Sequence, residues 1–214
     1  MFLTPSYSPN PIIVKGDLVQ RRLRQLHDTL NEDVFKEASD AGFTARLEAT
    51  PAHAPTAAGS LQWHETVFAL RTQLALRKWR IVDTRNCPLI VSPDKNIMIA
   101  IMTGDKDTGM EFGDPRNQGA KGTVLSGAIQ KNLELFSAKN KANKDGTQLW
   151  VLLYHVVGAE VRRELSIPNS FYRGKITGWS ERILLGSMQF NSQPDVFPIS
   201  PTDDLDFDVI RKKV

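Results

Sequence analysis

The chain has 214 residues, 41% of them apolar, and 27 Lys and Arg against 24 Asp and Glu give a formal charge of +3. Its single cysteine, Cys87, excludes an internal disulfide and a cysteine-rich zinc site. The longest apolar runs, Ile97–Met102 and Leu149–Val157, fall far short of the ~20 residues that cross a bilayer. With no basic leader ahead of an apolar stretch, the expectation is a cytoplasmic protein without a membrane partner.

Residues 1–13, with Pro5, Pro9 and Pro11, read as an extended arm, because proline fixes φ and restricts the residue before it. Asp17 is placed to cap a helix over 18–41, in which Val19, Leu23, Leu26, Leu30 and Val34 share one stripe and Gly42 is the stop. Residues 43–59, with Pro51, Pro55 and Gly59, read as a linker. Ser60 is placed to cap a second helix to Trp79, with Trp63, Val67, Leu70 and Leu74 as its buried stripe.

Short strands follow at 80–83 and 88–92, then a turn at Pro93-Asp94-Lys95-Asn96 and the apolar strand 97–102, so the last two strands read as a hairpin. A third helix starts near Thr123 on the stripe Leu125, Ile129, Leu133 and Phe136, and a basic loop covers 138–147. Strand 149–157, a half-exposed strand 160–167, a turn at 168–179 and a last strand 181–185 complete the order. The expectation is therefore a single α+β domain over 14–191. It would hold a mainly antiparallel sheet of five or six strands packed by about three helices, with an acidic tail over 192–214. Leu205, Phe207 and Val209 alternate with acids in that tail, a pattern suited to adding a strand to a partner or to a second copy.

The segment 103–123 is the candidate functional loop. It is long for a connection and rich in Gly, Asp, Lys and Arg, and it runs from a strand into a helix N-terminus, where free N–H groups favour anions. Lys121 and Thr123 sit at that terminus and Arg116 within the loop, but the Gly spacing is not that of a phosphate-binding Walker loop. Arg21, Arg24, Arg71, Arg77 and Lys78 add basic positions on the first two helices and could contact the phosphates of DNA or RNA.

The order helix, three strands, helix, strand, together with Pro93-Asp94 and Asp105-Lys106-Asp107, resembles the αβββαβ core of the PD-(D/E)xK nucleases. That resemblance implies a Mg²⁺ site on Asp94, Asp105 and Asp107, with Lys106 orienting water and Glu65 assisting. Here Asp105-Lys106 lacks the spacer of the family motif. His27, His53, His64 and His155 show no metal spacing, and His155 reads as a core or rim residue. The leading expectation is a non-enzymatic binding or adaptor protein that needs no cofactor. It would engage an anionic or protein partner, nucleic acid included, through loop 103–123 and the basic helices. The Mg²⁺-dependent nuclease and a structural subunit associating through the tail are the alternatives.

Overall fold

The computed structural model describes residues 10–137 and 146–190, with the side chains of 133–137 left aside. Eleven elements follow in order: β1 (Ile12–Val14), α1 (Leu18–Leu26), α2 (Glu32–Leu47), α3 (Ala57–Leu76), β2 (Arg80–Thr84), β3 (Cys87–Val91), β4 (Ile97–Thr103), α4 (Thr123–Ser137), β5 (Gln148–Val157), β6 (Glu160–Tyr172) and β7 (Lys175–Gln189). The strands make one seven-stranded sheet in the order β1-β7-β6-β5-β4-β3-β2. β1 runs parallel to β7 and β4 parallel to β5, while the other neighbours are antiparallel.

This corrects the expected fold in three ways: the sheet is mixed rather than mainly antiparallel, it has seven strands rather than five or six, and four helices pack on it rather than three. The parallel pair follows from covalent length. The link from Thr103 to Gln148 contains a long loop and a 15-residue helix, which is a crossover and not a hairpin turn. The extra helix appears because the apolar stripe of 18–41 does not run through one helix. His27 turns extended (φ −159°), Asn31 is extended as well, and its side chain accepts from Val34 N to restart the helix as α2. Asp17 precedes α1 without a side-chain cap, and Thr56, not Ser60, precedes α3.

Gly42 does not stop α2. It sits mid-helix where α2 meets α3, and a Cβ there would come within 2.0 Å of Thr66 Oγ1 and 2.9 Å of the Gln62 carbonyl. Residues 43–47 and 57–59 of the expected linker are helical. The expected turn at 168–179 is instead a hairpin of two long strands. Pro168 takes a β position because the β6–β7 register shifts on both sides of it, so its missing N–H breaks no regular ladder. The two-residue turn Arg85–Asn86 joins β2 to β3 with positive φ at both positions, the backbone of the tightest hairpins.

One face of the sheet carries α1, α2 and α3 over Ile99, Ile101, Trp150, Leu152, Leu165 and Ile183. The other carries α4 over Ala100, Met102, Leu149, Val151 and Leu153. Each fully buried Leu or Ile contributes about 1.5–3 kcal/mol. Asn132 of α4 is fully buried and acts as a clip: its amide donates to the carbonyls of Leu149 and Pro168, and its oxygen accepts from Leu149 N.

The loop 103–123 lies on the α4 face and is fastened there by a buried ion pair. Glu164 and Arg182 share that face, are 0% and 1% exposed, and meet at 2.5 Å. Glu164 also accepts from Gly109 N (2.8 Å), while Arg182 donates to the carbonyls of Gly113 (2.8 Å) and Met110 (3.0 Å). Further along, Trp179 Nε1 donates to the Pro115 carbonyl, and Asn117 bonds Ile176 N and the Gly174 carbonyl. The chain from Gly109 to Asn117 thus obtains its order from β6 and β7.

Candidate functional site

The carboxyl ends of the parallel pair lie level, with Thr103 opposite Tyr154. In open sheets with parallel strands, ligand clefts form outside such ends, where connections leave the sheet in opposite directions. Here β4 leaves into loop 103–123 on one face, and β5 turns back into β6. The departure is pinned by Gly104 N to the Tyr154 carbonyl (2.8 Å) and Gln118 N to the Thr103 carbonyl (2.8 Å). His155 Nδ1 lies 3.0 Å from the Gly104 carbonyl, which can only accept, so Nδ1 carries a proton and Nε2 makes none of the described bonds. Thr103 Oγ1 donates to the Tyr154 hydroxyl, and burial pushes that phenol up to about 12, so it stays protonated.

A groove runs along this edge. Its larger part, about 750 Å³, lies between the start of α3 (Thr56, Ala58, Ser60) and the strand ends, with Arg46, His64, Tyr154 and His155 in its walls. A smaller part, about 260 Å³, continues past Trp63, Thr103 and Gln118 to Lys121. Trp63 borders both parts, fixed by Nε1 donating to the Ile101 carbonyl at 3.1 Å. Beyond it a separate lobe of about 260 Å³ has Ala100, Met102 and Leu125 as its floor and Arg85, Asn86, Lys121 and Thr123 at its rim. Among the described residues no aspartate or glutamate lines any of these three cavities. Every charged side chain in the walls is a cation: Arg46, Arg85 and Lys121.

Of the residues expected from sequence, only Lys121 reaches this groove, and Thr123 lines the separate lobe. Cys87 lines the apolar lobe, where burial pushes its thiol up against the pull of Lys121 and Arg71. Arg116 is exposed and pairs with Asp114 at 3.2 Å. The basic helices do not form one face. Arg21 and Arg24 are exposed on α1, which packs beside β1 and β7, while Arg71, Arg77 and Lys78 lie beside β2 at the other end of the sheet. Six strand spacings of about 4.8 Å separate those ends by about 29 Å. Arg71 is consumed in structure, donating to Asp83 and to the carbonyls of Val82 and Leu89, and Arg77 bonds back to Gln73.

The four nuclease-type residues are not gathered either. Asp94 sits in the β3–β4 turn and Asp105–Asp107 beyond the far end of β4, so a seven-residue strand, about 20 Å, lies between them. Asp94 is occupied as a turn acceptor. Its partial burial opposes charge, but hydrogen bonds from Ser92 and from Asn96 outweigh that and hold its carboxyl below the usual range. Asp105 Oδ1 accepts from Asp107 N, and Glu65 lies on α3. Among the described residues no group of three His, Cys, Asp or Glu side chains could hold a metal ion.

Sequence reasoning missed Arg46, which it placed in a linker, together with Trp63, His64, Gln118, Tyr154 and His155 as a group. The signal that could have found them is positional: Thr103 and His155 each follow an apolar run that ends at the same level of the sheet. The expected tail 192–214, the arm up to residue 9, the basic loop lysines 139, 141 and 144, and the side chains of Leu133 and Phe136 lie outside the described residues.

The chain matches no family model, no curated protein and no solved structure. The groove must therefore be read from its own chemistry. Among the described residues no helix is long and apolar enough to cross a membrane.

Proposed function

We propose that this is a binding protein whose groove at the carboxyl ends of β4 and β5 holds an anionic ligand, with a single nucleic-acid strand as the occupant. The observation that supports the reading is the charge composition of the walls. Arg46 and Lys121 stand toward the two ends of the groove, Trp63 lies between them, and no carboxylate among the described residues lines any part. A cleft of one sign focuses the field and raises the local concentration of the opposite charge. Trp63 offers an aromatic surface beside the path, and stacking of this kind contributes about 1–3 kcal/mol per base without demanding a sequence. His155 Nε2, the Gln118 amide and Thr103 add acceptors and donors along the floor. The loop 103–123 contributes through its two ends, Thr103 and Gln118 to Lys121, rather than through its middle.

The test is a titration of labelled single-stranded DNA and RNA across a salt series, read by anisotropy. Two or three phosphate contacts give a log–log salt slope of about −1.4 to −2 for a single strand. Arg46→Ala and Lys121→Ala each flatten that slope by close to one contact, and Trp63→Leu weakens binding without altering it. Absence of binding at low salt, or binding that ignores both substitutions, refutes the proposal.

A further inference from the structure

The middle of loop 103–123 takes no part in the groove, yet its backbone is held in place from the sheet. Met110-Glu111-Phe112-Gly113 is a tight turn closed by Gly113 N to the Met110 carbonyl at 3.2 Å. The carbonyls on its two sides, Met110 and Gly113, are both held from below by the buried guanidinium of Arg182. At its corner Phe112 is 96% exposed, and Met110 beside it is 47% exposed. A large ring on a fixed backbone with no partner among the described residues is the form of an interface anchor, because the ordering cost of binding has been met before the partner arrives.

The same molecule carries a receptor of matching character. The lobe beyond Trp63 holds about 260 Å³ over an apolar floor of Ala100, Met102 and Leu125. That is ample for a phenyl ring, since a cavity of about 150 Å³ takes up benzene. Its rim is cationic, and neither Arg85 nor Lys121 has a carboxylate partner among the described residues. The turn around Phe112 has the opposite sign next to the ring, in Glu111, about a third exposed, and Asp114, mostly exposed, paired with the surface cations Lys15 and Arg116. Glu164 and Arg182, which hold the turn, face the same side of the sheet as Ala100 and Met102. From β7 to β4 is three strand spacings, about 15 Å. A knob and a hole on one side of a molecule cannot meet within it at that separation, but a two-fold axis between them lets two copies exchange both contacts at once and close.

We propose that the protein pairs with a second copy through this side of the sheet, each Phe112 entering the lobe of the other, with Glu111 and Asp114 opposite the partner's Arg85 and the partner's Lys121. The larger part of the groove, from Trp63 to His155, is not lined by Arg85 or Lys121, so only the Lys121 end is shared with the ligand proposed above.

Sedimentation velocity of the full chain tests it. The expected result is a concentration-dependent dimer that weakens as salt rises. Phe112→Ala should raise the dissociation constant about a hundredfold, at least about tenfold for each of two anchors. It should leave the melting temperature of the monomer unchanged, because Phe112 covers nothing. Since Cys87 lines the lobe and is the only cysteine, Phe112→Cys should give, on mild oxidation, a covalent dimer linked from position 112 to the partner's Cys87, and adding Cys87→Ser should abolish that link. A wild-type chain that stays monomeric up to about 0.5 mM, a dimer indifferent to Phe112→Ala, or cross-links joining 112 only to 112 would each overturn the proposal.

Discussion

Replacing Arg182 by Met tests whether the long loop is ordered by the buried pair beneath it. The substitution keeps most of the side-chain volume and removes the guanidinium. It leaves Glu164, 0% exposed, without its counter-charge, and breaking such a pair from one side costs about 3–5 kcal/mol. For a chain of this size 1 kcal/mol corresponds to about 2–4 °C, so the melting temperature should fall by about 6–20 °C. A second effect is local. The bonds to the Met110 and Gly113 carbonyls come from a charged donor and count for about 1.5–3 kcal/mol each. Their loss should speed amide exchange in the 109–117 segment by roughly a hundredfold or more, beyond what global destabilisation produces. The two effects separate in the double variant Glu164→Leu with Arg182→Met. An apolar pair in place of a buried ion pair restores or exceeds the original global stability, but Gly109 N–H and the two carbonyls still lack partners, so the loop should keep exchanging fast. Urea denaturation followed by tryptophan fluorescence reports the first quantity and residue-resolved hydrogen exchange the second. Loop protection that survives Arg182→Met, or that returns with the double variant, would refute the account.

Arg163 is 5% exposed, its Nε and Nη1 have no hydrogen-bond partner among the described residues, and burial lowers its pKa to about 10. A base weakened on folding destabilises at every pH below its folded value, so Arg163→Met should stabilise by about 1–3 kcal/mol. The gain should be flat from pH 5 to 9 in urea titrations and shrink only as pH rises past about 10. Gly42→Ala drives a methyl group against Thr66 Oγ1 and the Gln62 carbonyl, and should lower stability by about 1–3 kcal/mol despite alanine's better helix propensity, measured by thermal melting. Asn132→Leu leaves three backbone groups of Leu149 and Pro168 unpaired in the core, and at about 1–3 kcal/mol for each buried unpaired group it should lower the melting temperature by about 6 °C or more.

The reading of the sequence succeeded where period and apolarity coincide with the final burial. Residues 97–102 and 149–157 do lie in strands, and Val67, Leu70 and Leu74 do face the core. It failed where tertiary context outweighs local signals. Pro168 marks a turn in most chains, and here a register shift admits it to a strand. Gly42 marks a helix stop, and here it serves close helix packing. Ile12–Val14 is too short to declare itself and becomes a strand only against Glu181–Ile183. For the site, sequence alone could not say where each basic residue would lie: Arg71 and Arg77 are taken up in bonds to backbone carbonyls, whereas Arg46 lines a groove that exists only after β4 and β5 align.

That alignment divides the sheet into two unequal kinds of contact. β2, β3 and β4 are joined by short turns, and so are β5, β6 and β7. Each triplet can assemble from neighbouring chain at little loop-closure cost, whereas the β4–β5 seam waits for the long crossover. The groove lies across that seam, with Thr103 on one half and Tyr154 and His155 on the other. A bound ligand would therefore act as a staple between those two halves, adding its binding free energy to a seam that no short turn closes.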